Sequence, residues 1–185
     1  MIAVNKYVNR QHLLQYSLDE QLIHGMRVSN LAYQVAKELG ESEEFCHDLA
    51  VAGMLHDIGK EAVSGDLDDM DAPLIVEEIQ YVRLHAQASY EILKKEGYKE
   101  TILLAVRHHH ENYDGSGYPD NLSGEAIPLG ARIIRVCDVY AALTSDRPYR
   151  QAFESQSAVQ LMIEEIKDFD VKVFLAFQRM IHKNK

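Results

Sequence analysis

Apolar residues recur at spacings of about four along most of this chain, and no stretch of useful length alternates apolar with polar. That period belongs to the α-helix and argues against half-buried strands, so the expected fold class is all-α. From Leu18 to Leu39 the stripe runs Leu22, Met26, Leu31, Val35 and Leu39, and Gly40 is the expected stop. Ser42 ahead of Glu43 and Glu44 marks a second start, and Phe45, Leu49, Ala52 and Leu55 lead up to His56-Asp57. Gly59 and the Gly65-to-Pro73 stretch read as loop. A helix from about Leu74 toward Gly97 follows, with a break allowed near His85, and another covers Lys99 to His110. Asp114 to Pro128 is turn-rich. Leu129 to Leu143 reads as a buried helix, since Ala131, Ile134, Val136, Ala141 and Ala142 leave few polar positions. Two amphipathic helices, Ser155–Lys167 and Val171–His182, complete the reading.

With 185 residues, no internal repeat and no linker-like composition, the expectation is a single domain over residues 1–185, its core at about 17–181. No run of about 18 apolar residues occurs, so no membrane span is expected. The polar stretch from Met1 to Gln15 does not resemble an export signal, which points to the cytoplasm. Cys46 and Cys137, far apart in apolar surroundings, fit buried thiols in a reducing compartment. A net charge of −10 without a Lys/Arg stripe argues against binding polymeric nucleic acid. A small anion can still bind such a chain where bound cations reverse the local field.

The donors for such cations are present. His24, His56, Asp57, His85, His109, His110 and Asp138 supply imidazole nitrogen and carboxylate oxygen, a mixture that suits Fe, Mn, Zn or Ni. No cysteine accompanies them, which argues against a structural zinc site. A carboxylate such as Asp57 can bridge two cations, and two metals about 3.5–4 Å apart suit phosphate-ester hydrolysis. Each residue alone has a plainer reading: His24 as an interfacial histidine, Glu20 as a surface charge. At i, i+4, however, Glu20 and His24 share a helix face. Asp138, set among Ile133, Ile134, Val136, Val139 and Ala141, needs a partner.

His56-Asp57-Ile58-Gly59-Lys60, the segment His109-His110-Glu111-Asn112-Tyr113-Asp114-Gly115-Ser116-Gly117-Tyr118-Pro119, and Ala142-Leu143-Thr144-Ser145-Asp146-Arg147-Pro148-Tyr149-Arg150 resemble the HD-GYP branch of the HD superfamily of metal-dependent phosphohydrolases. The resemblance covers roughly Ser17 to Ile181. It implies a phosphodiesterase that hydrolyses a cyclic dinucleotide, cyclic di-GMP first, to the linear dinucleotide or the mononucleotide. By that resemblance His24, His56, Asp57 and Asp138 surround one metal, and Asp57, His85, His109 and His110 a second. Glu20 occupies the place of a ligand to a third. Two or three divalent ions are implied, Fe or Mn preferred, with Ni, Zn or Mg as alternatives. Asp57 and Lys60 are the expected catalytic residues, Lys60 near the reacting phosphate. Gly117, Tyr118 and Pro119 would wall the cleft, with Tyr118 able to stack on a base. Arg147 and Arg150 would offer forked donors to phosphate or guanine, or stand as a solvated helix end. His108 falls outside the matched motif and is expected off the site.

Three features depart from the family pattern: Ala141 in place of a second aspartate, Ala86 and Ser89 in place of proline and glycine, and the acidic run Asp66–Asp71. Ala141 and the acidic run motivate two alternatives. One is a signalling module with little turnover, working through a protein partner or as a homo-oligomer. The other is the same chemistry on a different nucleotide.

Overall fold

The computed structural model describes residues 18–67, 75–146 and 150–183, excluding the side chains of Leu18, residues 64–67 and residues 75–82. Among the described residues the chain is all-α, without a β-strand. The helices are α1 (Leu18–Leu39), α2 (Glu43–Leu55), α3 (Gly59–Leu67), α4 (Ile75–Lys95), α5 (Glu100–Arg107), α6 (Leu129–Leu143), α7 (Ser155–Glu164) and α8 (Val171–Lys183). Short 3₁₀ turns lie at Gly124–Ala126 and Ile166–Asp168.

Local chemistry sets several of these ends. At the close of α1 the Gly40 and Glu41 N–H groups return to the carbonyls of Lys37 and Ala36, both at 3.1 Å. Ser42 Oγ accepts the Phe45 N–H at 3.2 Å and opens α2. Asp170 opens α8 by accepting the Lys172 N–H at 2.8 Å, and its other oxygen takes the Arg132 guanidinium of α6 at 2.6 Å.

Elsewhere packing overrides the local signal. The loop expected at Gly59 and from Gly65 is helical as far as Leu67, because α3 lies against α4 and Ser89 Oγ accepts the Gly59 N–H at 2.8 Å. Helix α4 passes through His85 unbroken. Helix α5 stops at Arg107, short of the expected His110, and the His108 N–H closes on the Leu104 carbonyl at 3.2 Å. Adjacent residues of a continuous helix do not face the same way, and the turn relieves His109 and His110 of that constraint. The face α1 buries also differs: Val28, Ala32, Val35 and Ala36 are inaccessible, while Leu22 and Met26 are 44% and 62% exposed.

Helix α6 lies at the centre, packed against α1, α2, α5, α7 and α8. It buries Ile133, Ile134, Val136 and the free thiol of Cys137; Cys46 is likewise buried and unpaired. Helices α1 and α2 meet at Gly53, where a Cβ would stand 2.8 Å from Ser29 backbone atoms. This approach seats the His24 and His56 rings 5.3 Å apart. No helix among the described residues is long and apolar enough to cross a membrane.

Candidate metal centre

Five segments deliver the seven expected donors to one place. His24 comes from α1, His56 and Asp57 from the end of α2, and His85 from the middle of α4. His109 and His110 come from the turn after α5, and Asp138 from α6. They form three overlapping groups able to hold an ion: His24–His56–Asp138, His56–Asp57–His109 and His85–His109–His110, each with its ligand atoms within 4.8 Å of one another.

The two oxygens of Asp57 divide between these groups. Oδ2 lies 3.3 Å from His56 Nε2 and 4.0 Å from His24 Nε2, while Oδ1 lies 3.3 Å from His85 Nε2. Asp138 Oδ1 closes the first group at 2.9 Å from His24 Nε2 and 3.8 Å from His56 Nε2. In the third, His85 Nε2 stands 3.3 Å from His109 Nε2 and 3.1 Å from His110 Nε2. Donors about 2.1 Å from a shared cation stand roughly 3–3.5 Å from each other, and these separations lie in and around that range.

Backbone carbonyls orient the rings. His56 Nδ1 donates to Gly53 O at 2.9 Å and His109 Nδ1 to Val106 O at 2.5 Å. A carbonyl can only accept, so the proton sits on Nδ1 and Nε2 faces the cluster, the arrangement typical of metal-binding histidine. His56 Nε2 and Asp57 Oδ1 are buried without a hydrogen-bond partner. Buried polar atoms are ordinarily satisfied, and a cation in each donor group would satisfy them. The residues present therefore fit divalent ions.

Charge agrees. Burial, joined by the charges of the neighbouring imidazoles, holds His109 well below the ordinary histidine range. Burial also pulls His110 down to about 3, so both rings are neutral donors at neutral pH. Burial opposes ionisation of Asp57, but His56 and Lys60 override it and hold the carboxyl well below its usual range. Asp138 is likewise held down against burial by His24 and His56. His56 itself is raised: burial disfavours its charge, and Asp57 outweighs that.

The surrounding residues have more varied places. Lys60 Nζ lies 2.5 Å from Asp57 Oδ2 and is 31% exposed. Glu20 is exposed one turn before His24 and joins none of the three groups. His108 is outside them too, buried with Nδ1 3.8 Å from both Glu111 and Asp120. Tyr118 stacks on His110 at 4.8 Å and has the Arg83 guanidinium 5.3 Å from its centroid, so a base would meet a ring that already has neighbours. The Tyr118–Pro119 peptide is cis, and the backbone of Gly117 is buried against Asn112 and Glu111. The Arg150 guanidinium donates to the carbonyls of Ala142, Leu143 and Gln151, at the end of α6 and beyond. Ala141 is fully buried in the hydrophobic core, so it leaves no gap in a cleft. Arg147 and most of the acidic run at 66–71 lie outside the described residues.

Sequence reasoning missed two supports. Arg27, one turn after His24, donates to Thr144 O at 3.1 Å, Ser145 Oγ at 2.5 Å and Thr144 Oγ1 at 2.8 Å, tying α1 to the end of α6. Glu111, 2% exposed, accepts the Asp120 N–H at 2.7 Å and the Leu122 N–H at 3.1 Å, which latches the turn carrying Tyr118. Its place directly after the histidine pair was the available signal, but its partners lie nine and eleven residues later. Glu111→Gln sets an amide N–H against a backbone N–H and is expected to cost about 2–3 kcal/mol. A lower denaturant midpoint at unchanged slope would register the loss; an unmoved midpoint would mean the latch is unimportant.

A family model described as the HD domain matches residues 8–173. The chain is 43% identical over 136 residues to the cyclic di-GMP phosphodiesterase response regulator RpfG of Xanthomonas campestris pv. campestris, covering 72% of this chain and 36% of RpfG. It is 34% identical over 143 residues to 3′3′-cGAMP-specific phosphodiesterase 1 of Vibrio cholerae, covering 77% of this chain and 33% of that protein. The chain thus spans about a third of the length of these relatives. Its fold matches the solved structure of Bd1817, described as an HDG"Y"P protein, from Bdellovibrio bacteriovorus. The TM-score is 0.70 and the identity 18%, over 90% of this chain and 55% of that one.

Proposed function

This chain belongs to the HD domain family, and on that premise we propose that it is an HD-GYP-type, metal-dependent phosphodiesterase of cyclic dinucleotides, cyclic di-GMP first. The observation that carries this reading is Asp57, whose two oxygens face two different groups of donors. His24, His56, Asp57 and Asp138 would hold one cation and Asp57, His85, His109 and His110 a second; Glu20 would be a ligand to a third. Iron or manganese suits the mixed nitrogen and oxygen set, with Ni, Zn or Mg as lesser matches. When bound, the cations would supply Lewis acidity toward phosphoryl oxygens and a water activated at neutral pH.

The remaining roles belong to the chain itself. Lys60, half-exposed beside Asp57, would steady the phosphate or give a proton to the departing 3′ oxygen. Asp57 and Asp138 would keep the site anionic enough to retain its ions. The Gly117–Tyr118–Pro119 segment would wall the cleft, with Tyr118 buttressing His110 as well as meeting the ligand. Arg147 remains a candidate for the guanine edge, and Arg150 would serve through the N–H groups its carbonyls do not take. The cytoplasm is the proposed place of action.

The similarity to a 3′3′-cGAMP phosphodiesterase supports a second reading with the same chemistry on a mixed cyclic dinucleotide. The test is anaerobic purification, metal analysis, and chromatography of cyclic di-GMP and 3′3′-cGAMP after incubation. The expected result is two or more bound ions per chain and linear product that disappears with chelator. Turnover confined to 3′3′-cGAMP would select the second reading. Tight binding without product would favour a signalling module, and a protein that neither holds metal nor turns over would sink the proposal.

Chelation should also lower stability. A ligand that binds only the folded state at a thousand times its Kd adds about 4 kcal/mol, so readdition of Mn²⁺ is expected to raise Tm by several degrees. A Tm indifferent to Mn²⁺ would count against a preformed centre.

A further inference from the structure

A cyclic dinucleotide carries two phosphodiesters, and a centre that cleaves one leaves the other charge to be met elsewhere. In a chain of net charge −10 this second anion needs a cation of its own. Most cations near the centre already have partners. Lys60 is on Asp57, Arg132 on Asp170, and Arg27 on Thr144 and Ser145. Arg83 lies over the Tyr118 ring.

Arg135 is different. It sits on α6 one turn before Asp138, so the two share a helix face. Its Nε and Nη2 donate to a neutral acceptor, Asn112 Oδ1, at 3.1 and 2.8 Å. Among the described residues no carboxylate stands within ion-pair distance of it. It is half-buried, and its charge reaches both His110 and Tyr118, lowering the proton affinity of each. Asn112 is itself held: its Nδ2 donates to Ser116 Oγ at 2.9 Å, and that hydroxyl donates to Asp114 at 2.6 Å. Its carbonyl oxygen therefore has one place to point. Its charge is felt by the Asp168 carboxylate without an ion pair forming between them. The turn thus presets the guanidinium on a neutral acceptor, which is how an anion contact is made ready before the anion arrives.

We propose that Arg135 receives the phosphate of the cyclic dinucleotide that is not being cleaved, and so sets preference for cyclic dinucleotides over simple phosphodiesters. This rests on the phosphodiesterase reading above. The test measures equilibrium binding of a hydrolysis-resistant bisphosphorothioate of cyclic di-GMP, alongside hydrolysis of bis(p-nitrophenyl) phosphate, which has a single diester. Arg135→Gln is expected to weaken binding of the analogue about 10- to 100-fold, the worth of one charge-assisted contact. Loss of kcat/KM on the single diester should stay within about threefold on the same scale. Arg135→Lys should fall between wild type and Gln, since it keeps charge and loses the fork. Asn112→Ala, which frees the guanidinium without removing it, should give a weaker form of the same defect. The dependence of affinity on salt should flatten in Arg135→Gln, an effect that mere loss of packing does not produce.

Equal affinities in wild type and Arg135→Gln would overturn the role of Arg135 alone. Equal losses on both substrates would assign it to structure and overturn it as well. Failure of the wild-type protein to bind the analogue would overturn the functional reading, and this one with it.

Discussion

Asp57→Ala is expected to strip the protein of metal and of turnover together, with a loss in metal affinity of more than about 100-fold. Replacing an outer partner of a metal ligand already costs about 10- to 100-fold, and Asp57 is a direct donor candidate. Its effect should also exceed that of any one histidine. Each imidazole offers a single nitrogen to the cluster, whereas Asp57 turns Oδ2 to His24 and His56 and Oδ1 to His85. Without it, His24–His56–Asp138 and His85–His109–His110 remain as separate groups with nothing shared. Asp57→Asn keeps the volume and one oxygen and should retain part of the metal, which separates charge from shape. Elemental analysis after gel filtration, with product chromatography on the same sample, makes the check. An Asp57→Ala protein with the wild-type complement of ions would rule out the bridging arrangement.

Gly117→Ala is expected to be the most damaging single methyl in the turn. A Cβ at that position would stand 2.2 Å from the Asn112 nitrogen and 2.5 Å from both Glu111 Cα and His110 O. All three are backbone atoms, so no side-chain rotation relieves the contact. The turn must move, and with it the Tyr118 N–H that bonds to His110 O at 3.2 Å and the ring stacked on His110. Overpacking of this kind costs about 2–3 kcal/mol, or roughly 5–10 °C in Tm for a chain of this size. Affinity for a cyclic dinucleotide should fall at the same time, because Asn112 and the guanidinium it holds belong to the same turn. Thermal unfolding and ligand titration test this. A variant unchanged in both would show that the turn adapts easily.

The legible parts of this chain are those whose cause is local. Ser42 caps α2 and α1 ends ahead of Gly40 as read, because capping needs only near neighbours in sequence. Helix α6 has the bounds expected of it, since an uninterrupted apolar run leaves little choice. Helix α3 was not legible: two glycines and a serine argue against it, and its pairing with α4 prevails. The turn at His108–His110 was equally hidden. The carbonyls that Arg150 meets at the end of α6 and beyond could not be read from its residue type. Ala141 looked like a missing acceptor until the structure placed it in the core.

The sequence by itself determined the helical period, the supply of nitrogen and oxygen donors, and the motifs that mark the family. Each of these is written in residue type and short spacing. Only the tertiary structure decided that Asp57 divides its oxygens, that Glu111 holds the turn, and that the Asn112 amide holds Arg135. The reason is geometric. His24 and Asp138 are 114 positions apart, and their 2.9 Å contact depends on how α1 and α6 pack, which no local pattern encodes.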